Sequence, residues 1–67
     1  MEFAKSLTKL IDKNNITYKA IADEIGATER AVSYWAKGKR KPNIVSAYKI
    51  ALYFGVSLDA MVKGEVN

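Results

Sequence analysis

The feature that most constrains this chain is how often its helical pattern stops and restarts. Asn14 and Asn15 tolerate the left-handed conformation that closes a helix, and Gly26, Gly38 and Gly55 adopt it freely. Thr17, Thr28 and Ser57 follow closely as side chains able to cap the next helix. Between the stops, apolar residues recur at spacings of three and four, and the alternation a sheet needs never persists. The chain therefore predicts an all-α fold of five short helices. The first spans roughly 2–13 with Phe3, Leu7, Leu10 and Ile11 inward; the second roughly 18–25 with Ala20, Ile21, Ala22 and Ile25 on one face; the third roughly 29–37. Pro42 precedes a fourth, marked by Ile44, Ala47, Ile50, Ala51 and Phe54, and a last short turn holds Leu58, Met61 and Val62.

With 67 residues, no internal repeat and no linker, residues 1–67 read as a single domain near the lower size limit for a self-sufficient core. The absence of cysteine and histidine removes disulfides, thiolate metal sites and the commonest general base. The scattered carboxylates define no pocket, so the expectation is a binding protein rather than an enzyme, with no cofactor, metal or small-molecule ligand. No apolar run approaches the ~20 residues that span a bilayer, so no membrane role is expected, and a reducing cytoplasm fits the composition.

The net charge of +4 is informative once located. Up to Glu29, Lys5, Lys9, Lys13 and Lys19 are slightly outweighed by Glu2, Asp12, Asp23, Glu24 and Glu29, and beyond Lys41 the charges cancel. All the excess lies in residues 30–41, where Arg30, Lys37, Lys39, Arg40 and Lys41 stand with no acid among them. A polyanion is the natural partner for such a stretch; a merely solvated surface is the alternative.

Two helices joined by a three- or four-residue turn cross steeply and need small residues where they touch, a need that Ala22 and Gly26 meet. At 100° per residue, Glu29, Arg30, Ser33, Tyr34 and Lys37 share an arc of about 140° on the third helix, opposite Ala31, Val32, Trp35 and Ala36. The first group can hydrogen-bond base edges or phosphates; the second suits a core. Glu29 either complements the helix dipole or accepts from a cytosine amino group, Arg30 can pair bidentately with guanine, and Tyr34 can meet a thymine methyl and a phosphate or lie on the domain surface.

These residues carry a resemblance. Ile16-Thr17-Tyr18-Lys19-Ala20-Ile21-Ala22, Ile25-Gly26-Ala27-Thr28, Val32-Ser33-Tyr34-Trp35, Gly38-Lys39-Arg40-Lys41-Pro42, Lys49-Ile50-Ala51 and Gly55-Val56-Ser57-Leu58-Asp59 together resemble the Cro/CI-type (Xre-like) helix-turn-helix family of phage repressors and bacterial regulators, over Leu7 to Val62. The resemblance implies a five-helix, lambda-repressor-like DNA-binding domain with the motif at helices 2 and 3. It implies base reading by Thr28, Glu29, Arg30, Ser33 and Tyr34, and phosphate contact by Thr17, Tyr18 and Lys19 and by the loop residues Lys37, Lys39, Arg40 and Lys41. Two features depart from the family pattern. Tyr18 stands where a glutamine often opens the first motif helix, and Ile11 and Ala36 replace an arginine–glutamate pair between helix 1 and the recognition helix, both partners being lost together.

One recognition helix covers too few base pairs for tight binding at cellular salt, so a homodimer on an inverted-repeat operator is expected, with repression as the outcome. In relatives the surface after helix 4 makes the dimer contact, which implies Tyr53, Val56, Leu58, Met61 and Val62, several of which can equally complete the monomer core. The rival reading is an antitoxin-like or other interaction subunit whose helix-turn-helix supports a protein complex; the basic loop argues against it.

Overall fold

The computed structural model describes residues 2–66, and its elements are five helices: α1 (Phe3–Asn14), α2 (Tyr18–Ile25), α3 (Glu29–Ala36), α4 (Ile44–Phe54) and α5 (Leu58–Lys63). The local chemistry explains the boundaries. Thr17 accepts the Ala20 N–H at 3.1 Å, Thr28 that of Ala31 at 3.1 Å and Ser57 that of Ala60 at 3.0 Å, each filling an orphan donor of a first turn. Asn43, unmarked in the sequence reading, caps α4 in the same way at 2.8 Å. Asn15 ends α1 in the left-handed conformation at φ 52°, as its side chain permits.

The principal helix contacts close a ring in the order α1, α3, α2, α4, α5 and back to α1, so α3 sits across the core from the edge formed by α4 and α5. Inside lie Phe3, Leu7 and Leu10 of α1, Ile21, Ala22 and Ile25 of α2, Val32, Trp35 and Ala36 of α3, Ala47, Ile50 and Ala51 of α4, and Met61 of α5, with Val66 returning to seal the end. Burial of each larger side chain contributes about 1.5–3 kcal/mol. Two polar seams tie α1 into the ring. The Ser6 hydroxyl, wholly buried, donates to the Met61 carbonyl at 2.8 Å, and the Thr8 hydroxyl donates to the Ala36 carbonyl at 2.9 Å.

Several expectations change. Met61 is 0% exposed, so it is a core residue with no surface to offer a second chain. Ile44, grouped with the apolar residues that mark the fourth helix, is 68% exposed, and Ala20, grouped with the apolar face of the second, is also outside. Helix 3 stops at Ala36, leaving Lys37 as its cap. Thr8 hydrogen-bonds the Ala36 carbonyl, and Ile11 lines a cleft at the start of α2 while packing against the core. Gly26 serves the turn through its φ of +74° and not through space, since a Cβ there would meet nothing within 4 Å.

Candidate nucleic-acid interface

The α2–Gly26–Ala27–Thr28–α3 unit is a packed helix pair joined by a short turn: the Gly26 and Ala27 N–H groups both return to the Ala22 carbonyl, and Ala22 itself is buried. Burying Val32, Trp35 and Ala36 fixes the rotation of α3 about its axis. The opposite arc is thereby turned outward, with Glu29, Arg30 and Lys37 exposed and Ser33 and Tyr34 half-buried. Thr28 is also exposed; its hydroxyl oxygen is occupied by the cap, but its proton remains free to be donated to an acceptor outside.

Beyond α3 the chain turns at Gly38, whose φ is +75°, and folds back over the helix end. The carbonyls of the last turn hold it there. Ser33 accepts from Lys37 at 3.0 Å, Trp35 from Gly38 at 3.3 Å, and Tyr34 from both Lys39 at 2.9 Å and Arg40 at 3.4 Å. An open cleft of about 550 Å³ lies between the helix and this loop, lined by Thr28, Arg30, Tyr34, Arg40, Lys41 and Asn43 among others. Among the described residues, none of Arg30, Lys37, Lys39, Arg40 and Lys41 is ion-paired with a carboxylate, so their field is directed outward rather than spent internally. A larger open groove of about 850 Å³ between α2 and α4 carries Asp23 and Glu24 against Lys49 and does not suit a polyanion.

The start of α2 is less uniform than the sequence implied. Thr17 and Tyr18 line a cleft of about 290 Å³ together with Glu29, which sets a carboxylate beside the expected phosphate clamp. Lys19 bonds Asp23 at 3.0 Å across one helical turn, and the hydrogen bond and charge of Asp23 push its ammonium above the ordinary 10.5. Both partners are well exposed, so the pair can be exchanged for a phosphate. The structure thus brings Thr28, Arg30, Tyr34, Arg40 and Lys41 to one concavity and leaves Thr17 and Tyr18 at a second one, with Lys19 engaged by Asp23.

Away from this face, Tyr53, Val56 and Leu58 are half-buried against the core and Val62 is 37% exposed. An apolar stripe on α4 that helical periodicity does not reveal lies outside, where Val45, Tyr48 and Leu52 join Ile44. Among the described residues, no helix is long and apolar enough to cross a membrane.

A helix-turn-helix family model matches residues 7–61. The chain is 34% identical over 65 residues to the HTH-type transcriptional activator BcrR of Enterococcus faecalis, covering 97% of this chain and 32% of that protein. It is 32% identical over 65 residues to the uncharacterized HTH-type transcriptional regulator YqaE of Bacillus subtilis (strain 168), covering 97% and 56%. A third relative, the uncharacterized HTH-type transcriptional regulator MJ0272 of Methanocaldococcus jannaschii, is 33% identical over 46 residues, covering 69% and 70%. The chain therefore spans about a third of the first relative and a little over half of the second. No solved structure matches it. With a helix pair of this geometry, a matching family model over most of its length and relatives named as regulators, the chain belongs to the Cro/CI-type (Xre-like) helix-turn-helix family of DNA-binding transcriptional regulators.

Proposed function

We propose that residues 1–67 form a single domain that binds double-stranded operator DNA sequence-specifically as a homodimer and represses transcription by occupying its site. The observation that carries this reading is the junction of the outward polar arc of α3 with a loop of unpaired cations. In this reading α3 enters the major groove, with Thr28, Glu29, Arg30 and Ser33 toward the bases. Lys37, Lys39, Arg40 and Lys41 follow the flanking backbone, and Thr17, Tyr18 and Lys19 meet a phosphate on the other side of the groove. Occupancy of an operator suffices for repression, whereas activation, the role in the name of the Enterococcus relative, needs a further contact with the transcription machinery. Binding DNA places the chain in the cytoplasm of a cell without a nucleus.

Binding-site selection from random duplexes, followed by titration of the recovered site at several salt concentrations, tests the proposal. An inverted repeat with half-site centres about one helical turn apart, and a steep salt slope, is the expected result. Failure to enrich any sequence, with only weak binding, sinks it in favour of an interaction subunit.

A further inference from the structure

Tyr34 was expected to touch a base, yet its surroundings give it other work. Its ring centroid lies 6.0 Å from the Lys39 ammonium and 5.8 Å from the Arg40 guanidinium carbon, and its carbonyl accepts both of their backbone N–H groups. One residue thus gathers two consecutive cations by main chain and side chain together. We propose that Tyr34 is a positioning residue: its π-face holds Lys39 and Arg40 as a paired anion clamp for a phosphate of the DNA backbone. This rests on the DNA-binding reading and adds to it which residue arranges the loop.

The energetics favour a phosphate as the occupant. Two like charges drawn to a single ring repel one another, and the ring quadrupole only partly offsets that repulsion at an open site. Among the described residues neither cation has a carboxylate partner to relieve it. An anion that reaches both cations relieves it, and the adjoining cleft with Arg30 and Lys41 extends the same field toward α3. Without the ring, two long flexible side chains would have to be ordered from solution when the phosphate arrives, at a cost in rotamer entropy that Tyr34 has already removed.

The test is duplex binding, specific and unrelated, across a salt series for Tyr34→Phe and Tyr34→Leu, each also made in a Lys39→Met/Arg40→Met background. Tyr34→Gln serves as a second ring-less variant, and thermal unfolding identifies those that fold. Tyr34→Phe keeps the ring and should match the parent in affinity and salt slope. Removing the ring should weaken specific and unrelated duplexes alike by roughly tenfold and make the slope shallower by about one to two. In the background lacking both cations, removing the ring should change nothing further, because a residue that acts only through Lys39 and Arg40 has nothing left to act on. Loss of preference at particular base pairs in Tyr34→Phe, or an undiminished cost of Tyr34→Leu once the cations are gone, overturns the proposal and returns Tyr34 to base reading or plain packing. A parent chain that shows no salt-dependent duplex binding overturns the DNA-binding reading itself, a result separable from the other two.

Discussion

Arg30 and Lys39 carry the same charge but stand on different parts of the surface, and so they should fail differently. Arg30 leaves the first turn of α3, exposed and held by a buried helix face behind it; Lys39 sits on the loop beside the Tyr34 ring. A guanidinium on a fixed helix can present two parallel donors to guanine, whereas a lysine on a loop acts as a point charge toward phosphate. Arg30→Ala is therefore expected to relax preference at one or two base pairs of each half-site, at a cost of about 1–3 kcal/mol for the best sequence. Lys39→Ala should weaken every duplex equally and reduce the salt slope by about one. Quantitative binding to the selected site and to single-base variants of it reads both effects, and a uniform loss from Arg30→Ala would remove it from the base-reading set.

The helices show which kinds of information a sequence exposes. Thr28 is a cap in the plain sense, accepting the Ala31 N–H at 3.1 Å, so Thr28→Ala should cost about 1 kcal/mol and lower the melting temperature by roughly 4–8 °C, while Thr28→Asn, which can accept the same bond, should melt near the parent. Calorimetry or circular dichroism decides this, and equal melting of all three proteins would deny the cap its energetic role. Caps and stops of this sort were legible at Thr17, Asn15, Gly26, Thr28, Gly55 and Ser57 because each acts on a neighbour within three or four residues. The buried side of α3 was legible for a related reason, as its polar and apolar residues separate cleanly at helical spacing. On α4 the rule fails: apolar residues surround most of that helix, so periodicity does not select its inner face and Ile44 falls outside it. Long-range features left no local trace. The burial of Ser6 depends on a carbonyl in α5, and the gathering of Lys39 and Arg40 at Tyr34 depends on a turn without any period.

At the scale of the molecule, the ring of helices bears on how two copies could share one operator. The chain measures 25 × 22 × 19 Å, less than the ~34 Å between half-site centres one helical turn apart, so two copies side by side reach both only if α3 lies toward the outside of each. The α4–α5 edge lies across the core from α3, and a two-fold axis beside that edge pushes the recognition helices outward. The two helices offer exposed apolar side chains in Leu52, 60% exposed and lining the α2–α4 groove, and in Val62, while Met61 between Ala60 and Val62 is committed to the core. We therefore predict that Leu52→Lys and Val62→Lys, changes at exposed positions that cost the fold little, weaken self-association by introducing like charges that meet their own copies across the axis. Each variant should still bind an isolated half-site as the parent does but lose the bivalent gain on the full inverted repeat, roughly a hundredfold. Sedimentation with and without DNA, beside half-site and full-site titrations, separates the possibilities. Unchanged dimerisation in both variants would move the interface away from the α4–α5 edge, and with it the inference that this edge spaces the two recognition helices.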